Sequence, residues 1–232
     1  MVDVRVTEGR LVSASSESEI STVLVEPDDA IALMMLGHGS GTPIHRPLMV
    51  QMAEALADQR IATFRYNYPY SESMTTYSPD KIDSLEVLLS TTSLAMSAVA
   101  DLSLDLPLFL GGRSMSSQVV SLALTREHWP DVRGVVLYVF PMRWHNLLRN
   151  PVSHLHRVPA PMLFVQGGRD EEFTDLRELR SVLDELGNRA TLHVVDDANH
   201  SYDLPAGSNR TRLDVLSEVA SATATWIRGQ LK

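Results

Sequence analysis

Residues 30–36, Ala-Ile-Ala-Leu-Met-Met-Leu, form an unbroken apolar run between the break Glu26-Pro27-Asp28-Asp29 and a glycine-rich stretch starting at Gly37. Such a run predicts a strand buried on both faces. Upstream, 2–6 alternates and predicts an edge strand, Gly9-Arg10 reads as a turn, 11–18 is serine-rich and weakly patterned, and 20–25 predicts a second strand. Between 47 and 59, Leu48, Met52, Ala55 and Leu56 recur at helical spacing. Further strands are predicted at 61–66, 106–110, 135–140, 162–166 and 191–195, and helices at 80–102, 114–128, 174–186 and 213–230.

Strand and helix alternate along the chain, which predicts an α/β fold: a mainly parallel central sheet with helices on both faces. In such sheets ligands bind beyond the carboxyl ends of the strands, so functional residues should follow strands directly. No repeat, low-complexity tract or linker interrupts the pattern, and residues 1–232 read as a single domain. The longest irregular insertion, 141–161, is too short for a large cap domain and predicts an open site with a modest flap.

Composition narrows the class. Of 232 residues, 44% are hydrophobic and 21% charged, as in an ordinary globular enzyme. The net charge of −9 argues against nucleic-acid partners, which need a basic face, and against anionic lipid surfaces. No apolar stretch reaches the roughly 20 residues that span a bilayer, and Asp3, Arg5, Glu8 and Arg10 leave no apolar secretion-signal core near the start. Without cysteine there is no disulfide framework or thiolate nucleophile. The cytoplasm is the expected compartment.

Three residues then stand just after predicted strands: Ser114 in Gly112-Arg113-Ser114-Met115-Ser116, Asp170 in Gly167-Gly168-Arg169-Asp170, and His200 in Asp197-Ala198-Asn199-His200. A serine between small residues at a strand-to-helix turn is lifted clear of the sheet edge. Gly112 satisfies the need for a small residue fully, and Ser116 only approximately. A serine hydroxyl needs a base, histidine titrates near neutrality, and a carboxylate behind it fixes the tautomer. The chain order serine, aspartate, histidine is that of the α/β-hydrolase arrangement. Two backbone amides should stabilise the oxyanion, those of Met115 and of Ser40 in Gly37-His38-Gly39-Ser40-Gly41. The His38 ring is expected to support that loop. The loop has neither the lysine nor the spacing of a phosphate cradle, so no nucleotide cofactor is expected. His154 and His156 lack a zinc pattern, so no metal is assigned.

With these motifs, the chain resembles the α/β-hydrolases, and more narrowly the small uncapped group related to dienelactone hydrolases. It is most similar to bacterial proteins described as hydrolases, whose animal relatives include a subunit of the NSL histone-acetyltransferase complex. The resemblance rests on Gly37 through Gly41, on Phe64-Arg65-Tyr66-Asn67-Tyr68-Pro69-Tyr70, on Gly111 through Ser116, on Leu163 through Asp170, and on Asn199-His200-Ser201. It implies Ser114 as nucleophile, Asp170 as acid and His200 as base. Where the group usually has Ser-Met-Gly-Gly, this chain has Ser114-Met115-Ser116-Ser117.

The expected activity is cofactor-free hydrolysis of a carboxylic ester or thioester of modest size through an acyl-enzyme, with a small-molecule acyl compound as substrate. The rival reading is a non-catalytic interaction module that retains the fold. Tyr66, Tyr68 and Tyr70 either wall the site or pack in the core. His45, Arg46, Arg143, Trp144 and His145 either recognise an acidic group or are scattered surface residues. Arg113 is expected to pair with a carboxylate rather than to meet substrate.

Overall fold

The structure is a computed structural model and describes residues 3–12, 18–143 and 147–232. The start of the strand predicted at 2–6 and most of the serine-rich segment fall outside the described residues. The described strands are β1 (Val4–Val12), β2 (Glu19–Pro27), β3 (Ala32–Gly37), β4 (Ile61–Tyr66), β5 (Leu108–Arg113), β6 (Val132–Tyr138), β7 (Met162–Gly167) and β8 (Ala190–Val195). They form one sheet in the order β1-β2-β4-β3-β5-β6-β7-β8. The pairs β1–β2 and β2–β4 are antiparallel, and every other pair is parallel. β3, β4 and β7 are buried at every position, as the apolar runs of β3 and β7 require, while β4 also buries Thr63 and Arg65.

Among the described residues five long helices cover the sheet: α1 (Pro47–Asp58), α2 (Leu85–Asp101), α3 (Met115–Arg126), α4 (Leu176–Leu186) and α5 (Arg212–Gln230). On one face Leu88 and Val99 of α2, Val119 and Leu122 of α3, and Leu179 and Leu183 of α4 join Met35, Leu110 and Phe164 from the sheet. On the other, Leu48 and Met52 of α1 and Val215, Val219 and Ile227 of α5 pack on Met34, Leu36 and Val136. Side-chain caps set the helix starts. Ser84 accepts from the Val87 N–H, Asp175 from the Arg177 and Glu178 N–H groups, and Thr211 and Asp214 form a reciprocal capping box.

The structure departs from the sequence pattern in three places. β1 runs unbroken through Gly9 and Arg10 to Val12, in register with β2. Gly9 is not a turn residue: a Cβ there would lie 2.9 Å from Thr22 Oγ1 on the neighbouring strand. The helix expected from residue 80 begins only at Leu85, because Pro79 opens a separate short turn and Ser84 supplies the cap. β5 extends through Gly111 and Gly112 to Arg113, so the nucleophile candidate follows the strand with no loop between.

Residues 144–146 of the insertion, within the expected flap, lie outside the described residues. Of those described, Met142 and Arg143 donate their N–H groups to the Phe173 carbonyl, while buried His154 meets Ser121 Oγ of α3 at 2.7 Å and Leu155 is fully buried. None of them lines the cleft around Ser114. No helix among the described residues is long and apolar enough to cross a membrane.

Candidate active site

Ser114 occupies the single residue between β5 and α3 and has φ 50° and ψ −114°. A non-glycine residue there is strained by about 1–3 kcal/mol, held by the packing around it. That packing is dense. A Cβ at Gly112 would come within 2.3 Å of the Ser116 carbonyl oxygen and 2.6 Å of the Ser117 nitrogen. Both neighbours are backbone atoms, so only glycine fits. The Ser114 N–H donates to the Tyr138 carbonyl, which fixes the turn against β6.

Asp170 and His200 reach the same point from the ends of β7 and β8. Ser114 Oγ lies 2.8 Å from His200 Nε2, and His200 Nδ1 lies 2.7 Å from Asp170 Oδ2. Asp170 is 3% exposed; its Oδ2 also accepts from Gln166 Nε2 at 2.7 Å, while Oδ1 is buried without a partner. Burial raises the carboxyl pKa above its ordinary value, opposed by the hydrogen bond from His200. Burial also lowers the His200 pKa, and the Asp170 carboxylate opposes that shift. The imidazole therefore stays neutral at pH 7 with Nε2 free to accept a proton, provided Nδ1 carries the hydrogen toward Asp170. Phe173 stacks on the ring, with centroids 4.1 Å apart, and fixes its plane.

The glycine-rich loop is held by a second histidine. His38 Nδ1 donates to the Gly39 carbonyl at 2.8 Å, and Nε2 accepts from the Tyr68 N–H, with Ser71 Oγ, which donates to the Tyr68 carbonyl, 3.2 Å away. Full burial lowers its pKa to about 4, so the ring is a neutral scaffold with a fixed tautomer. The Gly39 carbonyl also accepts from the Thr42 N–H, closing a tight turn with Ser40 at its second position. The Tyr70 hydroxyl donates to the Ser40 carbonyl at 3.0 Å. Both carbonyls are thus engaged, and Ser40 lines the cleft beside Ser114. Met115 opens α3, and its N–H is among those that a helix leaves without an internal acceptor.

The cleft has a volume of about 340 Å3 and is walled by Ser40, Gly41, Tyr77, Arg169, Glu172 and Phe173 around Ser114 and His200. A larger hollow of about 650 Å3 lies at the opposite end of the sheet, where Leu33, Leu108 and Val132 begin their strands. No histidine lines it, so a serine there has no neighbouring base of that kind.

Several expected residues lie elsewhere. Tyr68 is fully buried, with its hydroxyl bonded to Ser116 Oγ and Tyr66, so it braces the site from behind and does not wall the cleft. Tyr70 acts on the loop through the Ser40 carbonyl and does not line the cleft. His45 is exposed beside Glu8, Arg10 and Ser21 of the β1–β2 hairpin, outside the cleft. Trp144 and His145 lie outside the described residues. Arg143 is engaged with Asp175, and Arg46 with the Thr75 carbonyl.

Arg113 corrects an expectation. It is buried beside Ser114 but forms no ion pair among the described residues; its Nη2 donates to the His200 carbonyl at 2.8 Å. A Cβ on Gly39 would come within 2.4 Å of Nη1, so the guanidinium also lies against the glycine-rich loop.

Gln166, Phe173 and Tyr77 escaped notice in the sequence. Gln166 had a signal, as the one polar side chain in an apolar strand, and Phe173 another, as an aromatic within Arg-Asp-Glu-Glu-Phe-Thr-Asp. Tyr77 had none.

An alpha/beta hydrolase domain family matches residues 30–228. Among solved structures, the fold is similar to a dienelactone hydrolase from Anabaena variabilis, at 20% identity over 97% of this chain and 98% of that one, with a TM-score of 0.72. It is also similar to a lidless α/β serine hydrolase from Xanthomonas campestris, at 16% identity over 95% and 94%, TM-score 0.70. A cold-adapted esterase from an Arctic intertidal metagenomic library matches at 15% identity over 96% and 94%, TM-score 0.70. No curated protein is significantly similar. The expected alpha/beta hydrolase family is thus found, and the fold is shared with a dienelactone hydrolase and a lidless serine hydrolase; these matches do not carry the kinship to an animal complex subunit.

Proposed function

The chain belongs to the alpha/beta hydrolase domain family, and from that premise we propose that it is a serine hydrolase acting on a carboxylic ester or thioester of modest size. The observation that carries the reading is the continuous hydrogen-bond chain from Ser114 Oγ through His200 to Asp170, with contacts of 2.8 and 2.7 Å. In this reading one domain holds the whole site, and no cofactor is needed.

Ser114 Oγ attacks the acyl carbonyl carbon while His200 Nε2 takes its proton. Asp170 accepts the Nδ1–H and stabilises the imidazolium that forms. The carbonyl oxygen becomes an oxyanion facing the Ser40 and Met115 amides, each such donor being worth roughly 10²–10³ in rate. As the tetrahedral intermediate collapses, the bond to the leaving oxygen or sulfur breaks and His200 returns its proton to that atom. A water then gives a proton to His200 as its oxygen attacks the acyl carbon. Loss of Ser114 Oγ, reprotonated by His200, releases the acid.

The size limit follows from the cleft: 340 Å3 is at the low end for small-molecule sites and suits a short acyl or leaving group. Labelling with a fluorophosphonate probe, with mapping of the modified peptide, tests the reading. Modification of Ser114 in the wild type and none in Ser114→Ala is expected. A folded wild type that does not label would discard it in favour of an interaction module.

A further inference from the structure

The edge of the sheet carries an unpartnered strand. Among the described residues β1 pairs only with β2, and eight of its nine residues, all but Leu11, are exposed. Val4, Val6 and Val12 are 40, 60 and 63% exposed, on one face of the strand with Glu8 and Arg10 between them. β1 has no proline and no register shift, two devices that stop an edge from recruiting another chain, and its charges, Arg5, Glu8 and Arg10, are of mixed sign. Such an edge offers a row of unpaired backbone donors and acceptors beside exposed β-branched side chains.

We propose that β1 pairs antiparallel with β1 of a second copy of this chain, about a two-fold axis through Gly9, so that the two sheets become continuous. The argument is charge complementarity along the strand itself. A two-fold axis normal to the sheet must pass through a residue pair, because directly opposed side chains share a face. With the axis at Gly9, Glu8 faces the second copy's Arg10 and Arg10 its Glu8. Val6 faces Val12 on the same face, and Thr7 faces Leu11 on the other. Within the overlap, residues 6–12, both charges meet their opposites and each exposed valine meets another.

Neighbouring registers fail. An axis at Glu8 sets Glu8 against Glu8, and one at Arg10 sets arginine against arginine. An axis at Thr7 sets Val6 against Glu8 and Val4 against Arg10. Opposite-charge and β-branched cross-strand pairs stabilise a ladder, and like charges directly opposed destabilise it. The interface is isologous and closes as a dimer, because each copy uses its only free β1 edge.

The pairing also extends existing interactions. Val6 lies opposite Val25 and Glu8 opposite Val23 on β2. Val23 and Val25 belong to a small core with Ile44, Ala53 and Ala57, which the second copy's valines would prolong outward. Arg10 already faces Glu19 at 3.4 Å, an exposed contact that leaves its guanidinium reachable from the edge.

The test is a charge swap read by sedimentation velocity across a micromolar concentration series. Wild type is expected to dimerise. Glu8→Arg and Arg10→Glu should each weaken the dimer at least about tenfold, since each places like charges opposite one another twice. The double variant E8R/R10E regenerates both pairs and should restore it. Circular dichroism and ester turnover, both expected unchanged, control for a disturbed hairpin. A second readout uses the absence of native cysteine. Gly9→Cys sets two thiols across the axis at a Cα separation a disulfide can bridge, after a small rotation of Thr22. Thr7→Cys does not. A wild type that stays monomeric throughout the series overturns the proposal. So does a dimer indifferent to the single swaps, a double variant that fails to recover, or equal cross-linking from positions 7 and 9.

Discussion

Ser116 fills the space that a side chain on Gly37 would need: a Cβ on Gly37 would lie 2.7 Å from both Cβ and Oγ of Ser116. The two positions therefore share one volume between the glycine-rich loop and the turn at Ser114. The Ser116 hydroxyl uses its place by donating to the His38 carbonyl and meeting the Tyr68 hydroxyl at 3.0 Å. Ser116 thus ties the glycine-rich loop to the turn that carries Ser114.

Gly37→Ala should accordingly displace Ser116 and cost roughly 1–3 kcal/mol of stability with a loss of turnover. Ser116→Gly alone should be milder, removing one hydrogen bond at about 1 kcal/mol and part of the packing. In the combined G37A/S116G variant the clash is gone, so it should melt higher than Gly37→Ala. A double-mutant cycle on melting curves measures this coupling. Strict additivity would mean the two residues do not share the space.

Ser114→Ala should abolish ester hydrolysis and leave the melting temperature within a few degrees. The side chain makes one hydrogen bond, to His200, and methyl fits where Cβ already sits. Parallel kcat and thermal-denaturation measurements separate lost chemistry from lost fold. Unchanged turnover would remove Ser114 from the mechanism.

Asp170→Asn should reduce kcat by about 10⁴, because an amide facing Nδ1 favours the wrong histidine tautomer. Asp175→Asn should leave kcat near normal. That carboxylate caps α4 and pairs with Arg143, so it is not behind His200. The pH profile adds a sign. Burial lowers the His200 pKa, so the acid limb of kcat/KM should have its midpoint below 6.5. Residual activity in Asp170→Asn should show a limb at still lower pH, since the carboxylate raises that pKa. An unshifted limb would mean that another group supports the imidazole.

The sequence disclosed whatever was fixed by strong local signals. Buried strands such as β3 and β7 are largely apolar runs, and Ser114, Asp170 and His200 each come within a few residues of the end of a strand. What it hid depends on the direction a side chain takes after the chain turns. Tyr68 and Tyr70 are two residues apart, yet one is sealed in the core and the other reaches the Ser40 carbonyl. Nothing in their spacing reports which way the loop folds back. Gly9 misled because a glycine beside a charged residue reads as a turn, whereas a close cross-strand neighbour, Thr22, gives the same residue a different reason. His45 is in the loop before α1, but that loop carries it to the hairpin side of the sheet.

His154 offers a last prediction, about stability rather than catalysis. It is 2% exposed against Ser121, and burial lowers its pKa to about 4. In the unfolded chain a histidine titrates near 6.5. Between these values the unfolded state binds a proton that the folded state refuses, so stability falls as pH drops from about 6.5 to 4 and is level above that window. The full loss is on the order of 3 kcal/mol for this residue, and buried His38, also near 4, adds a similar slope. His154→Leu removes one share while Ser121 Oγ keeps its bonds to the Ser117 and Gln118 carbonyls. Urea denaturation at a series of pH values should show the variant losing less stability than wild type between pH 6.5 and 4, with ester turnover at pH 7 unchanged. Equal slopes for the two proteins would mean that His154 takes up a proton without unfolding and is less sealed than its contacts indicate.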